Sequence, residues 1–101
     1  MKSSLVQVTV SEFCEREDVN YRLVLELVEL DVAQPIAGER VEEWVFDANG
    51  AHWLEKALRL HRELELDWEG VGMLVELLRQ RDALRRENAC LRQQLARFMD
   101  D

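Results

Sequence analysis

The chain has 101 residues, 48% hydrophobic and 34% charged, a length for one domain and a composition that excludes a disordered or membrane-embedded class. Its net charge of −8 is unevenly placed: residues 1–51 hold eleven acids against four bases (Lys2, Arg16, Arg22, Arg40), a net −7, and the remainder carries −1. Nucleic acid presents about one negative charge per ~1.7 Å and is held largely by basic side chains, so such a half argues against it as a ligand and for a basic protein surface.

Leu5, Val6, Val8 and Val10 read as a short extended lead, a strand or a strapped arm, with Gln7 and Thr9 on the other face. Ser11 is the expected cap of a first short helix, with Glu12 in its first turn, where the helix dipole favours negative charge. Phe13 and Cys14 point inward there, Val10 and Val19 pack at its ends, and Glu12, Glu15 and Arg16 turn outward. Asn20 is placed to cap a second helix whose Leu23, Val24, Leu27, Val28 and Leu30 recur at amphipathic spacing. Its outer face falls to Arg22, Glu26 and Glu29, with Leu25 either among them or in the core. Gln34-Pro35 ends the helical run, because proline biases its predecessor away from the helical region. Gly38 with Glu39 supplies a turn, and Val41 to Phe46 reads as a strand burying Val41, Trp44 and Phe46, so Val32 to Phe46 is expected to be a small hairpin wing.

Asp47 is the expected cap of a third helix with Trp53, Leu54, Ala57, Leu58, Leu60, His61 and Leu64 in a broad inward stripe. Asp67 then caps a long final helix that begins near Trp68 or Glu69. Gly70 and Gly72 each cost it up to ~1 kcal/mol relative to alanine, which close backbone packing would offset. From there a heptad runs with Leu74, Arg81, Asn88 and Leu95 at one core position and Leu77, Leu84, Leu91 and Phe98 at the other. A helix projecting from a small head leaves such a seam wet unless it meets a partner, which predicts a homodimer, parallel or antiparallel, with Asn88 pairing to fix register. The organisation expected is a head over residues 1–66 and a coiled-coil-like dimerisation segment over 67–101.

The fold class that follows is mainly α: a winged helix-turn-helix head, a small β wing and a long terminal helix. In that outline the second helix enters the major groove and reads bases with Arg, Lys, Asn and Gln, but here it presents carboxylates, and Arg40 in the wing is flanked by Glu39, Glu42 and Glu43. An enzyme has little to stand on. His52 and His61 are nine residues apart on one helix, about 180° around it, and no glycine-rich phosphate loop is present. Cys14 and Cys90 form no metal-binding spacing and are expected as two reduced, packed thiols, and Trp44, Trp53 and Trp68 as core aromatics. No cofactor, metal, small-molecule substrate or membrane contact is expected. Met1 to Val10 lacks the pattern of a signal peptide, so the expected location is the cytoplasm.

The order of elements is similar to the MerR family, and one branch matches more closely. Glu12-Phe13-Cys14, Trp44-Val45-Phe46-Asp47, Arg59-Leu60, Glu63-Leu64, Leu66-Asp67-Trp68, Glu87-Asn88, Leu91-Arg92 and Leu95 resemble the CbpM family of chaperone modulators over nearly the whole chain. The resemblance implies a cytoplasmic adaptor that binds the J-domain of a DnaJ-like co-chaperone of the CbpA type and restrains it from stimulating its Hsp70. J-domains are known for a basic helix, which an acidic head could occupy. Glu12, Glu15, Glu17, Asp18, Glu26, Glu29 and Asp31, with Arg22 and Leu25 among them, are the candidate partner surface. Read separately, these carboxylates are a solvated face, and Leu25 is core packing or an apolar anchor. The alternative function is a MerR-like DNA-binding transcription regulator. Against it, the second helix carries Leu25-Glu26-Leu27-Val28 where DNA-binding members have an arginine and aromatics.

Overall fold

The computed structural model describes residues 6–100, so Leu5 of the expected lead lies outside the described residues. Strand β1 (Gln7–Thr9) pairs antiparallel with β2 (Val45–Asp47), setting Val8 opposite Phe46 and Thr9 opposite Val45. The chain passes directly from β1 into α1 (Val10–Glu17). Thr9 is therefore the cap, not Ser11: its hydroxyl accepts from the Glu12 amide at 3.1 Å, and the Glu12 carboxylate accepts from the Thr9 amide at 3.0 Å. Strand pairing holds Thr9 extended, and the Val10 amide donates to the Trp44 carbonyl, which leaves Ser11 already inside the helix.

Asp18 closes α1 in the left-handed region, and Asn20 caps α2 (Tyr21–Glu29) by accepting from the Leu23 amide. The end of α2 is a Schellman turn. Asp31 takes a φ of 68°, its amide donates to the Val28 carbonyl and the Val32 amide to that of Leu27, while the Leu27 and Val32 side chains are fully buried.

The hairpin expected over Val32 to Phe46 is reduced to its base. Its two sides are joined by a single bridge, in which the Ile36 amide donates to the Val45 carbonyl and the Val45 amide to that of Ala37, while the strand along the other edge of β2 comes from the N-terminus. Val41–Glu43 is a 3-10 turn, in which the Glu43 amide donates to Arg40 and that of Trp44 to Val41. Those amides are thereby spent locally and cannot extend a ladder. Gly38 makes the turn before it with a φ of 102°, so close to Glu43 that a Cβ would collide with its carbonyl.

Asp47 caps α3 (Ala48–Leu64), which buries Trp53, Leu54, Ala57 and Leu58. Leu64, expected in the same stripe, is exposed: the helix ends at left-handed Glu65, and Leu66 turns back against the core in its place. His61 is half-buried and structural. Its Nδ1–H donates to the Leu66 carbonyl at 2.7 Å, and its ring stacks on Trp68 at 3.8 Å.

Asp67 caps α4 (Trp68–Asp100), whose Val71 and Val75 complete a core shared with Val10, Phe13, Val24, Leu27, Phe46 and Leu54. At Gly72 α4 lies against Leu30, which a Cβ there would meet at 3.4 Å, an ordinary van der Waals contact. Trp53 is buried as expected, whereas Trp44 and Trp68 are half-buried at its margin. Thirty-three residues make α4 about 50 Å long. The longest dimension of the described residues is 56 Å, so this helix sets the long axis, and from Ala83 to Asp100 every residue is exposed.

Candidate protein-binding surface

The outer face of α2 follows from its amphipathic spacing. Arg22, Leu25, Glu26 and Glu29 occupy the i, i+3, i+4 and i+7 positions of one stripe, and all but Leu25 are exposed. Leu25 is half-buried and does not belong to the set packed against the core. Tyr21 begins the same face at 39% exposure and went unnoticed in the sequence, although its position four residues before Leu25 marks it.

The candidate carboxylates have different occupations. Glu12 is engaged in the cap of α1, and Glu17 is half-buried beside Arg16 at 3.6 Å. Arg16 reaches further, to Glu55 at 3.1 Å. Asp18 and Asp31 hold left-handed positions, and the Asp31 carboxylate accepts from Gln34 at 2.8 Å. Glu15, Glu26 and Glu29 are exposed and make no ion pair among the described residues.

A second surface lies where α2 ends against α4. Leu30, Gly72, Met73 and Leu77 floor an open groove of about 690 Å³, rimmed by Asp31, Glu69 and Glu76. Met73 is 70% exposed and Leu77 60%. Sequence reasoning assigned Leu77 to a dimer seam and overlooked Met73, four residues before it.

Along that seam Leu77, Leu84, Leu91, Leu95 and Phe98 are exposed, as are Arg81 and Asn88, while Leu74 at the head is half-buried. Cys90 is exposed, contrary to the expectation of two packed thiols, because it stands on the projecting part of α4. Cys14 is half-buried, and burial pushes its thiol pKa up. His52 is exposed beside Trp53. Among the described residues no group of three or more His, Cys, Asp or Glu could hold a metal ion, and no helix is long and apolar enough to cross a membrane.

The model of the MerR HTH family of regulatory proteins matches residues 8–93. A protein of Pseudomonas entomophila named chaperone modulatory protein CbpM is 44% identical over 99 residues, covering 97% of both chains. Proteins of the same name from Pseudomonas putida and Citrobacter koseri are similar as well. The first is 41% identical over 98% of both chains, and the second is 40% identical over 98% of this chain and 97% of its own.

Proposed function

Since the chain belongs to the MerR HTH family of regulatory proteins and, within it, to the CbpM chaperone modulators, we propose that it inhibits a DnaJ-like co-chaperone of the CbpA type by binding its J-domain. Its acidic head would cover the basic helix through which a J-domain stimulates Hsp70. The carrying observation is the outer face of α2. In the position of a DNA-reading helix stand Glu26 and Glu29, unpaired among the described residues, with half-buried Leu25 between Arg22 and Glu29. Opposite charges speed the encounter and an apolar side chain retains the complex, so the contact should weaken as salt rises. Glu12, Glu15, Glu17, Asp18 and Asp31 extend the acidic field around this face, with Glu15 and Asp18 exposed and in no ion pair among the described residues. The reading is of an adaptor without catalytic activity, acting in the cytoplasm.

The same reading includes a homodimer. Leu74, Leu77, Leu84, Asn88, Leu91, Leu95 and Phe98 would form its seam, with residues 1–66 as head and 67–101 as pairing segment. A row of leucines more than half exposed on a projecting helix favours such a partner.

The deciding experiment mixes the protein with an isolated J-domain and, separately, with duplex DNA at two salt concentrations. Binding of the J-domain, weaker at the higher salt and weaker again in Glu26→Lys/Glu29→Lys with unchanged thermal stability, supports the proposal. A DNA shift without J-domain binding favours the family's other use of this fold, transcription regulation, and sinks the inhibitor reading.

A further inference from the structure

From the groove at the junction of α2 and α4 we infer a second contact for the same partner: an apolar anchor site that takes one face of a cationic amphipathic helix. The inference rests on the J-domain reading above and adds where the partner's apolar side chains go. The floor is Leu30, Met73 and Leu77, with Gly72 among them packed against Leu30. Its charged lining residues are all acids, Asp31, Glu69 and Glu76, none in an ion pair among the described residues. An apolar floor inside an acidic rim selects apolar side chains flanked by lysine or arginine. Along α4 the groove runs from Glu69 to Leu77, about 12 Å, which accommodates about two turns of a helix.

Two observations favour this occupant over a second copy of α4. The groove uses residues 69, 72, 73 and 76, which lie off the heptad seam, and shares only Leu77 with it. Its rim residue Asp31 also follows Glu29, on the acidic face of α2, by two positions in the chain.

The test uses the full chain, the isolated J-domain and Met73→Glu. Met73 is exposed, so the head should fold unchanged. The substitution adds negative charge, which a purely coulombic contact with a basic helix would welcome, yet it wets the anchor. We expect a Kd about tenfold weaker, the size of a modest interface anchor. Glu76→Lys should weaken binding too, and Glu63→Lys, an equal charge change outside the groove, should do so less. Met73→Glu binding as tightly as the parent overturns the anchor, and the α2 reading survives if Glu26→Lys/Glu29→Lys still weakens the complex. Lost self-association in Met73→Glu with J-domain affinity intact assigns the groove to a second copy and overturns the inference. If the parent protein does not bind the J-domain, both readings fall together.

Discussion

The guanidinium of Arg79 lies over the indole of Trp53, its central carbon 5.4 Å from the ring centroid. From there it donates to the Asp31 carbonyl at the end of α2, so one side chain of α4 ties α2 to α3. A cation at a helix C-terminus meets the negative end of the dipole, and the aromatic face adds to that. Its Nε is buried without a partner among the described residues, a cost that offsets part of the gain. Arg79→Ala should lower unfolding free energy by about 1–3 kcal/mol. Arg79→Lys, which keeps charge but loses the planar fork, should fall between, and urea midpoints measure both.

The cap of α1 can be located by substitution. Thr9→Ala removes one half of the capping box and should cost about 1 kcal/mol, whereas Ser11→Ala, on an exposed residue inside the helix, should be close to neutral. The same denaturation curves distinguish the two, and equal losses would place the helix start elsewhere.

Gly38 is a position where a side chain has no room. Its φ of 102° is strained for other residues, and a Cβ would meet the Glu43 carbonyl. Gly38→Ala should therefore destabilise by about 1–3 kcal/mol. Val45 loses its bridge to Ala37 if the loop shifts, and faster amide exchange at Val45 would report it.

The thiols should separate kinetically. Cys90 is exposed on α4, while Cys14 is half-buried with its pKa raised by burial, so at neutral pH it holds less thiolate than an ordinary cysteine. One equivalent of a thiol reagent should react quickly with native protein and the second slowly, becoming fast in denaturant or as pH rises. Peptide mapping should find the fast label on Cys90.

Leu84→Lys/Leu91→Lys tests the seam. Both leucines are exposed in the single chain, at 64% and 55%, so the head should melt as before. Sedimentation equilibrium should show a dimer for the parent and a monomer for the double variant. A parent that is already monomeric at micromolar concentration removes the dimer.

Much of this molecule was legible in the order of its residues because the deciding interactions span four positions or fewer. The caps at Asn20, Asp47 and Asp67, the inward stripes of α2 and α3, the turn at Gly38 and the acidic sign of the α2 face are all local. Ser11 and Thr9 show where that stops: both are good caps, and only the pairing of β1 with β2 decided for Thr9. The wing is shorter than its sequence suggests for the same reason. Val45–Asp47 reads as a strand from either side, but its main partner is chosen by closure of the whole chain, which brought Gln7–Thr9 along one edge and left only the Ala37 bridge on the other. The 3-10 turn at Val41–Glu43 then used amides that a hairpin would have needed. The groove between Leu30 and Met73 had no signal in either segment alone, since it exists only where α4 packs against the end of α2. Sequence by itself determined which elements form and what charge they carry, through contacts between near neighbours; only the tertiary structure decided which of them meet, because that depends on how distant segments share one core.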